Sequence, residues 1–454
     1  MDSEPDSTAL AGAERGLHKQ LSAGQMAMIA VGSSIGTGLL LGSGAAAHIA
    51  GPAVVLAYVV GAFVAWIVSN ALGEMASADP AAGSFGVYAE RYLNPWAGFV
   101  ARYGYWFGVV AAVGAELVAT ATYLRYWFPH VPGSVWIFIA AVALLLVNLQ
   151  SVGNFGRFEF WLAAFKLATI MAFILLGTAL LFGGKVTPQY RAAGGFFPNG
   201  MLAPLLALSF PLFSFLGIEL VAISSGEAHD RKDIPRATRL TFAMLAFAYI
   251  GATAVLVGVT PWNRLGVEHS PFVTVFDIAG LPAVSAVMNF VVLTAALSGA
   301  NANLYAAGRM LFSLARGGYA PPSLGKLTAS GSPRLALIVS SLGIFAALLM
   351  EHWLPESAFL YILGAALFGA MLAWIAGLAA HIAFRRQISA EALAALPMRA
   401  PGGALLSGFA VLVLLAGIIS TAWVPQSRVT LICAPVYLLI LTVAYWASKS
   451  RKRL

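Results

Sequence analysis

Apolar runs about as long as a bilayer is thick follow one another through almost the whole chain, and this limits what it can fold into. A helix needs roughly twenty apolar residues to cross a hydrocarbon core. Such runs lie near residues 26–47, 51–73, 96–127, 133–150, 158–182, 201–224, 238–260, 282–313, 335–353, 358–384, 404–424 and 429–448, which predicts twelve membrane helices. Only 10% of the residues are charged and the mean hydropathy is +0.84. Soluble domains carry about 25% charged residues, so the composition is that of an all-α polytopic membrane protein. The first twenty residues are polar, with Asp2, Glu4, Asp6 and Glu14 and no apolar core, so no cleaved signal peptide is expected. The one cysteine, Cys433, falls in the last run, which excludes an internal disulfide and a cysteine-based metal site.

The net charge of +8 is informative only through its placement. An even number of spans puts both termini on one side. Twenty of the 26 Lys and Arg residues then share that side, and five (Arg125, Lys185, Arg191, Arg264 and Arg428) lie on the other. By the positive-inside rule both termini are expected in the cytoplasm. The excess charge therefore does not point to nucleic acid. The remaining basic residue, Lys166, sits inside the fifth run. The two longest loops, near 74–95 and 314–334, are rich in Pro, Gly and Ser and leave room for short surface helices at most.

Two runs are interrupted. The first holds Gly32-Ser33-Ser34-Ile35-Gly36-Thr37-Gly38 at mid-membrane depth. Glycine weakens a helix interior, and opened backbone is tolerated in a bilayer only where protein or a water-filled cavity satisfies it. Alone, this stretch reads equally as a broken helix with a binding site or as a small-residue packing face. The sixth run carries Ser209-Phe210-Pro211-Leu212-Phe213-Ser214-Phe215-Leu216-Gly217-Ile218-Glu219, with proline, glycine and a carboxylate at similar depth. Breaks five spans apart, in halves that enter from opposite sides, mark an inverted-repeat transporter with a midplane site. That favours the binding-site reading of the stretch from Gly32 to Gly38, with Gly36 and Thr37 inside it.

Ionisable residues inside membrane runs suggest function. Glu116 lies in the third run, Lys166 in the fifth, and Glu219 at the break of the sixth, with Glu227 eight residues on. Each has a plainer alternative. Lys166 could snorkel to the interface, although it lies nine residues, or ~13 Å, beyond Arg157. Glu116 could make a structural hydrogen bond to another helix. Glu219 could cap the broken helix, and Glu227 could pair with Arg231 or Lys232. The seven histidines lie at run ends or in loops, without metal-ligand spacing. No catalytic or phosphate-binding motif is present, so neither an enzyme nor a cofactor is expected.

Several ordered matches between about residues 17 and 385 resemble one family. They are Gly32 to Gly44; Gly73-Glu74-Met75 with Pro80 and Gly83-Ser84-Phe85; Glu159-Phe160-Trp161 with Lys166; Phe213 to Glu219 with Gly226-Glu227-Ala228 and Ile234-Pro235; and Val292 to Ser298 with Arg309-Met310-Leu311-Phe312. The chain resembles bacterial amino-acid permeases of the amino acid–polyamine–organocation superfamily, in the branch of aromatic, GABA and lysine permeases. The resemblance implies five-plus-five inverted repeats and two extra helices. It implies that backbone around Thr37 and Gly38 receives the substrate carboxylate, which suits a half-helix N-terminus. It also implies that carbonyls of Ser34, Phe213 and Leu216 receive the amine, with the Phe213 ring closing over the substrate. Lys166 matches a helix-five lysine placed where sodium-driven cousins bind a cation. The chain departs from the branch at Leu216 and Ile218, where Gln and Thr are usual, and at Leu40, where Phe is common.

The resulting expectation is a permease of the bacterial inner membrane that imports a neutral or aromatic amino acid with protons. Its repeats would span 21–190 and 191–390, between a cytoplasmic tail at 1–20 and two further helices with a basic tail at 391–454. A permease for basic amino acids or GABA, with Glu116 or Glu219 binding the side-chain amine, is the alternative. An exchanger and a transporter-fold nutrient sensor are also open, though short tails argue against the sensor.

Overall fold

A computed structural model describes residues 21–80, 84–149, 155–191, 194–328, 332–424 and 428–451, so the expected tail at 1–20 lies outside the described residues. In chain order the helices are α1 (Ala23–Ser34), α2 (Thr37–Leu40), α3 (Gly42–Ala50), α4 (Val54–Ala78), α5 (Ser84–Tyr92), α6 (Pro95–Arg125), α7 (Gly133–Leu149) and α8 (Phe155–Phe182). There follow α9 (Ala203–Leu206), α10 (Ser209–Ser214), α11 (Leu220–Ile223), α12 (Asp233–Val259), α13 (Pro271–Ile278) and α14 (Pro282–Arg316). The last are α15 (Arg334–Ser340), α16 (Leu342–Trp353), α17 (Ala358–Gln387), α18 (Ala390–Ala394), α19 (Gly403–Ser420) and α20 (Val429–Arg451). An isolated bridge between Leu21 and Ala228 is the one extended pairing among the described residues.

Eight helical stretches among the described residues are long and apolar enough to cross a membrane. Two shorter apolar helices, Gly133–Asn148 and Ala434–Ala447, fall in the fourth and twelfth expected runs. The first and sixth runs are divided into α1–α3 and α9–α11. Large apolar side chains such as Phe138, Leu175, Phe182, Phe247 and Leu412 point outward. In water such a surface would be a liability; against lipid it costs nothing.

Helix ends follow local chemistry. Ser22 and Gln25 form a capping box at the start of α1, with Gln25 Oε1 accepting the Ser22 N–H at 3.0 Å. Asn94 Oδ1 accepts the Ala97 N–H at 2.9 Å, ahead of Pro95 in the first turn of α6. Pro211 does not break helix six. It occupies the first turn of α10, where a missing N–H costs nothing, just past the short turn at 207–208 that separates α9 from α10; the wider interruption comes later, at residues 215–219. The loop helix α5 is not the surface helix expected: Ser84 to Ala89 are buried, and Glu90 pairs with Arg102 of α6 at 2.7 Å.

Long α6 packs most extensively against α17 and α14, while α4 packs against α12, and α1 against α8 and α12. Small residues permit this closeness. A Cβ on Gly108 would lie 2.8 Å from the Ala370 nitrogen. The two broken helices lie against each other, α2 on α10 and α1 on α11.

Candidate functional site

The two interruptions meet face to face. Helix α1 ends at Ser34, Ile35 and Gly36 run extended, and α2 starts at Thr37. In helix six the chain turns through Phe215 to Glu219, with Gly217 at φ +107°, a backbone shape that side-chain-bearing residues rarely adopt. A Cβ on Gly217 would lie 2.6 Å from Ser34 Oγ and 2.9 Å from the Ser34 nitrogen. Likewise a Cβ on Gly38 would lie 2.8 Å from the Phe213 ring and 2.9 Å from Ser214 Cα. The glycines thus let one broken backbone rest on the other.

A break frees carbonyls at the end of one half-helix and N–H groups at the start of the next. Two buried charges meet them. Lys166 Nζ, from α8, donates to the Gly32 carbonyl in the last turn of α1 at 2.8 Å. Glu116, from α6, accepts the Thr37 N–H with Oε1 at 3.1 Å and Oε2 at 3.3 Å. Cation at the carbonyl end and anion at the N–H end is the arrangement that half-helix dipoles favour. Both side chains are buried, so Lys166 turns inward instead of snorkelling. The Glu116 carboxyl fits because its neighbours lack side chains: a Cβ on Gly36 would strike Oε1, and one on Gly299 of α14 would lie 3.0 Å from it.

Other freed groups are also occupied. The Ser34 carbonyl accepts the Tyr249 hydroxyl of α12 at 2.7 Å, and Ser34 Oγ donates to the Ala30 carbonyl at 2.9 Å. The Phe213 carbonyl accepts the Leu216 N–H at 3.1 Å, and Leu216 is half-buried in the turn. The Leu40 carbonyl, freed where α2 bends into α3, accepts Ser270 Oγ at 2.9 Å. Glu219 Oε2 accepts the Gly217 N–H at 2.9 Å and the Trp374 indole N–H of α17 at 3.2 Å, and the Tyr105 hydroxyl of α6 is a further hydrogen-bond partner. A small apolar cavity beside Lys166 is lined by Ile35, Leu40, Phe272, Met288 and Val292.

Ser34, Gly36, Thr37, Gly38, Glu116, Phe213 and Leu216 therefore gather around the crossing of the breaks, and Lys166 meets helix one at Gly32, five residues before Thr37. Glu219 holds the helix-six turn, as a cap would. Glu227 anchors the start of helix one through its backbone: its carbonyl accepts the Leu21 N–H at 3.0 Å. Sequence reasoning missed Tyr249, Ser270, Trp374 and Tyr105. They are single polar groups in ordinary apolar runs, and no local pattern sets them apart. Among the described residues no group of three or more His, Cys, Asp or Glu side chains could hold a metal ion.

Comparison with known proteins places the chain in a family. The family model for amino acid permeases matches residues 25–454. The chain is 34% identical over 445 residues to the uncharacterized amino acid permease YtnA of Bacillus subtilis, covering 96% of each. It is 33% identical over 446 residues to the gamma-aminobutyric acid permease of the same organism, covering 97% of this chain and 95% of that one. It is 35% identical over 428 residues to the aromatic amino acid transport protein AroP of Escherichia coli K12, covering 92% and 93%. The crystal structure of the Eremococcus coleocola manganese transporter shares its fold, with a TM-score of 0.59 at 12% identity over 100% of this chain and 97% of that one. The chain belongs to the amino acid permease family of the amino acid–polyamine–organocation superfamily.

Proposed function

We propose that this permease imports a neutral or aromatic amino acid across the bacterial inner membrane together with protons, at the crossing of its two broken helices. The observation that carries this reading is the pair of buried charges on helix one: Lys166 on the Gly32 carbonyl and Glu116 on the Thr37 N–H. In this reading the substrate carboxylate takes the Thr37 N–H. Glu116 already holds that donor, and one N–H cannot serve two carboxylates well. Substrate therefore displaces Glu116, and a displaced carboxyl in a dry interior is held most cheaply as the neutral acid. Binding of substrate and of a proton are thereby linked. Ser34 and the turn from Phe213 to Leu216 supply the amine's carbonyl acceptors, and the ring of Phe213, already against Gly38, covers the site.

In the same reading the chain crosses the membrane twelve times as five-plus-five inverted repeats and two added helices, with both termini cytoplasmic. The packing supports this. Helix α4 pairs with α12, α6 with α14, and the first broken helix with the second; each partner is the fifth span on from the other in the twelve-span count.

One observation favours a second reading. A carboxylate inside the site suits a substrate with an extra amine, and a gamma-aminobutyric acid permease is among the relatives. Uptake into proteoliposomes tests both. Purified protein accumulates labelled phenylalanine, leucine or alanine under an inward proton gradient if the main reading holds. No accumulation under the gradient overturns proton-driven import, and no movement of any amino acid, exchange included, overturns transport altogether.

A further inference from the structure

Glu74, near the end of α4, is a completely buried carboxylate with no part in the site described above. Its Oε2 accepts from Arg385 Nη2 at 2.5 Å and from the Ala400 N–H, while Arg385 Nη2 also donates to the Ala400 carbonyl at 2.9 Å. Its Oε1 lies 3.5 Å from His381 Nε2, and His381 Nδ1 lies 2.8 Å from Ser407 Oγ. One carboxylate thus joins α4, the end of α17, and α19 with the turn that precedes it. That turn wraps Arg385: Gly402 and Gly403 have φ of +67° and +49°, and a Cβ on Gly403 would lie 3.2 Å from the guanidinium.

The joint is one of two on the same helix. Trp374, His381 and Arg385 are spaced by seven and four residues, which places them on one face of α17. Trp374 takes Glu219 at the helix-six turn, and the other two take Glu74. Elsewhere α17 is fixed to α6 through Gly369, where a Cβ would lie 2.5 Å from the Gly108 nitrogen. So α17 lies close against α6 and is tied by buried polar bonds to α4 and helix six. Simple cohesion needs no buried charge, because apolar packing would supply it without desolvation.

We propose that Glu74, His381 and Arg385 are positioning residues, a polar joint that sets α4 against α17 and governs how fast the loaded site changes sides without touching substrate. This rests on the transport reading above. The test is Glu74→Gln in proteoliposomes, with transport rates normalised to folded protein. We expect kcat to fall about tenfold while KM stays within about twofold. The double variant Glu74→Gln with Arg385→Gln removes both charges and recovers kcat to within about threefold of the wild type. His381→Gln leaves the ion pair intact and answers the question if Glu74→Gln does not fold; it lowers kcat severalfold at unchanged KM. Wild-type rates in both single variants overturn the joint, as does a rise in KM that accounts for the whole loss. Wild-type vesicles that take up no amino acid overturn the transport reading, and the joint with it.

Discussion

At the Thr37 N–H a carboxyl of the protein stands where the carboxyl of a substrate is expected, and the consequences can be read residue by residue. Glu116→Gln keeps the shape but removes the charge at the break. If Glu116 competes with substrate, this variant binds neutral amino acids as well as the wild type or better and its affinity no longer varies with pH, while the pH dependence of accumulation, which rests on Lys166, stays. If Glu116 instead binds a substrate amine, affinity collapses. Competition in the wild type is the companion measurement: neutral side chains outcompete lysine, and lysine winning by tenfold, about 1.4 kcal/mol, establishes the basic-substrate reading. Gly38 tests the crossing itself. Any side chain there meets the Phe213 ring and the Ser214 backbone, and overpacking of this kind costs ~1–3 kcal/mol. Gly38→Val therefore abolishes uptake while the protein still reaches the membrane; normal uptake by this variant removes Gly38 from the site.

Among the elements, helix six depends on one backbone angle. Gly217 combines a positive φ with contact to Ser34, so Gly217→Ala is strained and crowded at once, at a cost of ~1–3 kcal/mol. A thermal melt in detergent shows the loss as a lower Tm. Gly408 of α19 is the control: nothing lies within 4 Å of its would-be Cβ, and alanine in a helix interior gains ~0.5–1 kcal/mol over glycine. Gly408→Ala thus melts at the same temperature as the wild type or higher. These elements were unevenly legible in the sequence. The helix-one break shows because glycine and serine interrupt an apolar run locally. Helix six shows too, through proline, glycine and a carboxylate together, but the pattern does not say which of them makes the wide turn: Pro211 is absorbed in a first turn and Gly217 makes it. Lys166 and Glu116 stood out as charges in apolar runs, and no local rule could say which break group each would meet. The Glu74 joint was hidden for the same reason. Glu74 and Arg385 are 311 residues apart in sequence, and each taken alone is an ordinary charge near a run end.

Across the whole molecule helix one is tied at both of its ends. On one side the Leu21 N–H meets the Glu227 carbonyl and the His229 N–H meets the Leu21 carbonyl, each at 3.0 Å. On the other, Asn199 Nδ2 donates to the Ile49 carbonyl at 2.9 Å. Helix one carries the first tie at its start and the second in the last turn of α3, and between them it is held to α8 by Lys166. In its ammonium form Lys166 makes a charge-assisted bond to Gly32, roughly twice as strong as a neutral one. Loss of that proton weakens the link between α8 and α1, and its return restores it. A proton and a substrate then bias the same two-state element, which is what coupling requires. With this sign, uptake rises as external pH falls, proceeds without sodium, and collapses when a protonophore is added. Lys166→Ala removes the proton-dependent link and leaves the Glu116 contact in place. It loses pH-driven accumulation but keeps exchange of internal for external amino acid, measured as counterflow at equal pH on both sides. Strict sodium dependence in the wild type, or undiminished pH-driven accumulation in Lys166→Ala, shows that the lysine only holds the break together.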